Sequence, residues 1–208
     1  MEQASKKYKM PNFIGLFVSN ESDSKKTIDR FLIEKLLFLQ QEYSNISENI
    51  TDINELNKNY KFPNSLHVTS LYIGGNKEKL RSDFYTSFQE GVESDILIEG
   101  LVYVPGKLIT GIVIVSEELK IENEFPHITL KIGSWDPKNS NDVLKAIFET
   151  SSSPLYGKYK KLFKEEASIY KISGLQINRG KKIEKIDELY VLKMSEKIRL
   201  SGITKCHF

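Results

Sequence analysis

Two stretches of the chain set a histidine and a threonine two residues apart in apolar frames: LHVTSLYIGG at residues 66–75 and PHITLKIG at residues 126–133. In an extended strand successive side chains alternate faces. His67 and Thr69 therefore share one face while Leu66 and Val68 turn to the other, and His127 and Thr129 stand in the same relation to Ile128 and Leu130. Each stretch reads as an apolar anchor that presents one imidazole and one hydroxyl side by side. Two such strands brought together would line a cleft with two of each. Histidine titrates near neutrality, so one ring can take a proton from water while the other, protonated, gives one to a departing alkoxide. The threonine hydroxyls can donate to the non-bridging oxygens of a phosphate and stabilise its transition-state charge. This set suits phosphodiester cleavage without a metal.

Other chemistries find less support. There is no cysteine pair, no HExxH and no carboxylate at ligand spacing beside either histidine, so a metal or other cofactor is not expected. No GxSxG elbow points to a serine hydrolase, and Gly74-Gly75 lacks the lysine and serine spacing of a phosphate-binding loop. A single HxT would be weak, because threonine is common in strands and a lone histidine is more often structural. The pair is stronger, since it uses two of only three histidines in matching frames.

The elements that would position these residues can be read from periodicity. FIGLFVS, opening at Phe13, is a β-branched and aromatic run expected to be a buried strand. Ile28, Phe31, Leu32, Leu36, Leu39 and Tyr43 recur at helical spacing, with Ser24 as a candidate cap. KEKLRSDFYTSF, with Leu80, Phe84 and Phe88, predicts a second helix. ILIEGLVYV and LITGIVIV flank Pro105-Gly106-Lys107 as a hairpin. SNDVLKAIFET predicts a helix capped by Ser140 or Asn141, and three strand candidates follow: ASIYKISGLQI, ELYVLKM and KIRLSGIT. The whole reads as α+β, with mostly antiparallel strands covered by helices.

The chain of 208 residues, 39% hydrophobic, is long enough for one compact domain over residues 1–208. No run is long and apolar enough for a bilayer, and the charged start MEQASKKYKM has no signal-like apolar stretch behind it. With Cys206 as the lone cysteine, a reducing cytoplasmic setting is the economical expectation. The net charge of +2 argues against a long duplex as partner. The residues from Ser153 onward are nevertheless basic, with 13 Lys and Arg against 6 Asp and Glu, a face that is either simply solvated or attracts phosphate.

LHVTSLYIG and PHITLKIG resemble the paired HxT signatures of the two-histidine (2H) phosphoesterase superfamily. The opening FIGLFVS with its helix, the hairpin LVYVPGKLITGIVIV and the closing ELYVLKMSEKIRLSGI are similar, in order, to the catalytic domain of the 2′,3′-cyclic-nucleotide 3′-phosphodiesterases and to the cyclic phosphodiesterase domain of tRNA ligases. The resemblance runs from about residue 11 to 204. It implies two pseudo-symmetric lobes around a central cleft and chemistry without a metal; a monomer with no membrane association and no cofactor is expected. The implied reaction is hydrolysis of a 2′,3′-cyclic phosphate, on a nucleoside or an RNA end, to a 2′-phosphate.

By the same resemblance His67, Thr69, His127 and Thr129 are catalytic. His127 would partner the attacking water and His67 would serve as acid for the leaving 3′-oxygen, an assignment that could be reversed. Tyr72 occupies the place of a base-stacking aromatic, although strict alternation would turn it away from His67. Phe13, Lys131 and Pro137 complete the expected substrate contacts. Lys131 falls where the family usually has glycine, on the alternation face of His127, and Phe125-Pro126 replace a basic residue before the second motif. Trp135 is a candidate for the cleft rim. Two other readings share these residues: a 2′,5′-oligonucleotide phosphodiesterase, and a nucleotide- or RNA-binding module without turnover.

Overall fold

FIGLFV forms strand β1 (Phe13–Val18), and six further strands join it: β2 (His67–Tyr72), β3 (Glu93–Val104), β4 (Leu108–Val115), β5 (His127–Ile132), β6 (Ser168–Arg179) and β7 (Lys182–His207). The computed structural model describes residues 9–208 apart from 118, 163, 165, 180 and 181, so most of the charged N-terminal stretch lies outside the described residues. All seven strands belong to one antiparallel sheet in the order β1-β2-β5-β4-β3-β7-β6, and β7 also pairs with β1. A circuit of six strands is thereby closed. Its weakest seam is between β2 and β5, where a single pair, Val68 with Ile128, joins the two.

The long strand β7 unites two segments that the sequence presents as separate strands. ELYVLKM pairs with the C-terminal half of β3 and KIRLSGIT with its N-terminal half. Between them the register jumps from Lys193 opposite Gly100 to Ile198 opposite Ile98, so four residues of β7 bulge out. The buried Glu99 sits at that jump, where both Lys193 and Lys197 pair with its carboxylate. The hairpin turn at Pro105–Lys107 forms as expected, with Gly106 at a φ of 69° that suits glycine.

Among the described residues five α-helices accompany the sheet: α1 (Glu21–Glu42), α2 (Ile53–Asn59), α3 (Asp83–Thr86), α4 (Asn139–Glu149) and α5 (Tyr159–Leu162). Ile28, Leu32, Leu36 and Leu39 form the buried stripe of α1, but its cap is Asn20 rather than Ser24, because the Asn20 side chain accepts from the amide of Asp23. The single helix expected over residues 77–88 is divided into a 3₁₀ turn, Lys77–Arg81, and α3. Ser82 is extended and its hydroxyl caps α3, which stops the first piece from continuing. Helix α4 begins at Asn139 without a side-chain cap, so Ser140 does not serve the expected capping role.

These elements enclose two main cores. One gathers the inner residues of six strands, among them Leu16, Val68, Ile98, Ile109, Ile128 and Leu192, under α1 and α2. The other packs Val102, Leu108, Ile112 and Val191 against α4, α5 and β6. No helix among the described residues is long and apolar enough to cross a membrane.

Candidate active site

Pairing of Val68 with Ile128 in antiparallel register sets His67 level with Thr129 and Thr69 level with His127. All four polar side chains are half-buried, whereas Val68 and Ile128 are wholly buried on the other face. Both motifs thus meet on one face of the sheet, related by a local two-fold through the single β2–β5 pair. Among the described residues Val68–Ile128 is the one ladder pair between β2 and β5, and the two imidazoles flank it on their shared face.

The two-fold extends to the backbone. On β2 the register against β1 passes from Thr69 opposite Gly15 to Leu71 opposite Ile14, which makes Ser70 an extra, bulged residue. On β5 the register against β4 passes from Thr129 opposite Thr110 to Lys131 opposite Ile109, with Leu130 as the extra residue. A bulge of one residue reverses the side-chain parity of everything after it.

Two expectations are decided by this reversal. Tyr72 returns to the cleft face, opposite Phe13, and stands 64% exposed with its ring over Gly74. A β-carbon at Gly74 would fall 2.5 Å from that ring, and its φ of 55° is one that glycine accepts readily. Lys131 moves the opposite way: it is fully buried beneath α1 and α2 rather than beside His127. There its ammonium pairs with Asp29 at 2.7 Å, donates to Asn57 at 2.6 Å and lies 3.5 Å from the centre of the Phe62 ring. The expectation that Lys131 faces the cleft is corrected by the bulge, which strict alternation does not contain.

Each imidazole is oriented by the chain two residues before it. His127 Nδ1 is 2.8 Å from the carbonyl oxygen of Phe125, and His67 Nδ1 is 3.3 Å from that of Ser65 and 3.1 Å from the Ser65 hydroxyl. A carbonyl can only accept, so the Phe125 contact puts the His127 proton on Nδ1 and leaves its Nε2 as acceptor; at His67 the Ser65 carbonyl fits the same tautomer, while the Ser65 hydroxyl fits either. Burial lowers the pKa of both rings. For His67 burial is the largest cause, repulsion from the neighbouring His207 and His127 imidazoles adds to it, and the value falls to about 4. Glu21 opposes that fall; its carboxylate also accepts from the Leu66 amide and so ties the first turn of α1 to β2.

The surroundings of the two histidines differ. His67 stacks on Phe13, with ring centres 4.7 Å apart, and on Phe17 at 5.2 Å. On the far side of Phe13, His207 stacks at 4.5 Å. The second half is polar: the Thr129 hydroxyl is 2.8 Å from that of Ser140 and 3.3 Å from the Pro137 carbonyl. Ser140, fully buried, therefore serves the site rather than the helix end. Phe125 and Pro126 act through their backbone and packing, since Phe125 is buried between Phe148 and Tyr159. Trp135 is only 3% exposed, packed in the second core with the Lys107 ammonium 5.1 Å and the Arg179 guanidinium 4.8 Å from its ring centre, so it does not form the cleft rim.

The structure therefore brings together His67, Thr69, His127 and Thr129, with Tyr72, Phe13 and Pro137 around them. It removes Lys131 and adds Phe17, Ser140 and His207. The signal for the additions was modest but present: Phe13 and Phe17 fall on one face of β1, and His207 is the third histidine of a chain with three. No cluster of three or more His, Cys, Asp or Glu placed to hold a metal occurs among the described residues.

No protein-family model matches the chain, and no curated protein matches it either. Among solved structures, the fold is similar to the crystal structure of a fungal RNA kinase, with a TM-score of 0.49 and 16% identity over 99% of this chain and 47% of that one. The chain spans less than half of that protein, and a likeness at this level carries no activity across, so the functional reading rests on the site itself.

Proposed function

We propose that this chain is a phosphodiesterase that opens 2′,3′-cyclic phosphates, on nucleotides or RNA ends, to 2′-phosphates by paired-histidine acid–base catalysis without a metal. The observation that supports it is the local two-fold. Two imidazoles and two threonine hydroxyls share one face around a single strand pair, and each ring has its Nδ1 tied to the backbone. The resemblance of both motifs to the 2H phosphoesterases agrees with this arrangement and with pseudo-symmetric halves in one catalytic unit.

In this reading the cyclic phosphate lies between β2 and β5. Water attacks phosphorus in line with the 3′-oxygen, and Nε2 of His127 accepts the proton that water loses. As the bond from phosphorus to the 3′-oxygen breaks, His67, in its protonated form, delivers a proton to that oxygen, leaving the phosphate on the 2′-oxygen. A bound phosphate anion favours that protonated form, countering the burial that depresses it in the free protein. Thr69 donates to the non-bridging oxygens, as does Thr129 once its hydroxyl proton turns from the Pro137 carbonyl with Ser140 donating to the Thr129 oxygen; Tyr72 offers the exposed ring on which the base stacks.

The test is turnover, with chelator present, of 2′,3′-cyclic AMP, an RNA with a cyclic end and a 2′,5′-linked diadenylate. Hydrolysis of the cyclic substrates, reduced by about 10²–10⁴-fold in His67→Ala and in His127→Ala, is the expected result. Cleavage of the diadenylate alone would move the assignment to 2′,5′-linkages. Binding of all three without turnover would leave a nucleotide-binding module, and a strict need for added metal would overturn the mechanism.

A further inference from the structure

Next to the first half-site, the last strand carries two side chains that the proposed reaction does not use. β1 separates β2 from β7, and its register places Thr69, Gly15 and Lys205 in one row across the three strands and Tyr72, Phe13 and His207 in another. Paired residues of an antiparallel sheet point to the same side, so Lys205 and His207 emerge on the cleft face. Both are exposed. The rings of Phe13 and Phe17 stack with centres 5.8 Å apart although three residues separate them, so they lean together over Gly15, which has no side chain to hold them apart. They form an apolar floor, with His67 on one side and His207 on the other.

Charge on this floor is unbalanced. Lys131 is committed to Asp29 on the opposite face, and Lys79, beside Tyr72, is committed to the Tyr72 carbonyl and to Glu122. Lys205 has no ion pair or side-chain hydrogen bond to any described residue. The nearest acid is Glu90, whose carboxylate accepts from the Cys206 amide at 3.2 Å and is not paired with Lys205; Glu93, level with Ile203, is not bonded to it either. At about 4.8 Å between strands, the Lys205 backbone lies roughly 10 Å from that of Thr69, a gap that an extended lysine largely crosses.

We propose that the end of β7 is a subsite for an RNA strand, in which Lys205 holds the phosphate on the 5′ side of the cyclised nucleotide and the exposed His207 ring stacks a neighbouring base. A free cation beside an aromatic platform is the combination by which single strands are held without sequence readout. The chemistry sets the preference. A 2′,3′-cyclic mononucleotide ends in a 5′-hydroxyl, whereas an RNA end continues there as a phosphodiester, so only RNA gains from Lys205. The inference rests on the phosphodiesterase reading and deepens it by assigning RNA ends rather than free nucleotides as the favoured substrate.

A binding arm separates the two ideas. Affinity for a short labelled RNA ending in a 2′-phosphate is measured across salt concentrations for the wild type, for Lys205→Ala and for Lys26→Ala, which removes an equal charge from the outer surface of α1. Turnover of the RNA cyclic phosphate and of 2′,3′-cyclic AMP is measured for the same proteins. Lys205→Ala is expected to weaken RNA binding about fivefold, with the loss appearing in KM for RNA and mononucleotide turnover unchanged. Its logarithmic salt slope should be shallower by about 0.7, the contribution of one phosphate contact. His207→Phe should keep the RNA affinity that His207→Ala reduces.

Equal RNA affinity in Lys205→Ala and wild type, or an equal loss in Lys26→Ala, would overturn the subsite while leaving the phosphodiesterase reading intact. Equal loss on RNA and mononucleotide would overturn it as well. RNA binding that depends on Lys205 in a protein turning over neither substrate would keep the subsite and sink the catalytic reading.

Discussion

The two halves of the site share one backbone and differ in what supports it. HVTSLY and HITLKI have the same bulge after the threonine and the same lock between imidazole and the chain two residues earlier. Around His127 the support is polar and close, with a 2.8 Å bond to Phe125 and the Thr129 hydroxyl held by Ser140 and Pro137. Around His67 it is aromatic, with Phe13 and Phe17 as stacking partners and the charge of His207 beyond. Under the proposed mechanism the polar half would hold the group that aims the water, and the aromatic half the group that changes protonation state.

The largest contrast lies beneath the site. Leu71 and Lys131 are equivalent positions after the two bulges; one enters an apolar cluster and the other forms a buried ion pair. Breaking such a pair from one side leaves an uncompensated buried charge, so Lys131→Ala should cost about 3–5 kcal/mol. The same truncation at Leu71 should cost about 2–5 kcal/mol through the cavity alone. Urea unfolding separates the mechanisms: adding Asp29→Asn should recover much of the loss in Lys131→Ala and none of it in Leu71→Ala. A marked loss of turnover in still-folded Lys131→Met would instead return that lysine to the chemistry.

That pair also shows what could be read from the chain. The four catalytic candidates were legible because apolar neighbours and a period of two carry face information over three or four residues. The bulge was not, because Ser70 and Leu130 are ordinary strand residues and the extra residue exists only relative to the partner strand. Hence Tyr72 and Lys131, both beyond a bulge, exchanged sides. Trp135 illustrates the same limit, since its surroundings include Lys107 from the β3–β4 turn and Arg179 from the end of β6, both distant in sequence. Joining ELYVLKM to KIRLSGIT as one strand likewise required β3 to pair with both halves.

A smaller effect, in the aromatic half, should appear in the pH dependence of stability. His67 is held below its ordinary value of 6.5, at about 4, so between these values the unfolded chain binds a proton that the folded chain refuses. Its contribution to stability is then present above pH 6.5 and is lost as pH falls toward 4. For a half-buried ring the loss between about pH 7 and about pH 5 is at most about 2 kcal/mol. Unfolding midpoints at the two pH values should therefore differ less in His67→Gln than in wild type. Removing the opposing charge in His207→Ala should raise the folded value and shrink the difference too. An unchanged pH dependence in both variants would mean that the stack does not tune His67.

The smallest effect isolates the polar support. Ser140 touches Thr129 rather than any reacting atom, so Ser140→Ala removes one hydrogen bond that positions a donor, worth about 1 kcal/mol or roughly fivefold. The loss should fall on kcat with KM nearly unchanged, because a misaimed hydroxyl harms the transition state more than the bound substrate. A general packing defect would instead lower the unfolding midpoint in proportion. If Ser140 acts only through Thr129, the double variant with Thr129→Val should be no slower than Thr129→Val alone. Additive losses would give Ser140 a separate role. No equivalent hydroxyl supports Thr69 among the described residues, so Thr129→Val should lose both a donor and an anchored geometry, and Thr69→Val only the donor. The two threonines are alike in sequence, and their variants should differ by about the Ser140 increment.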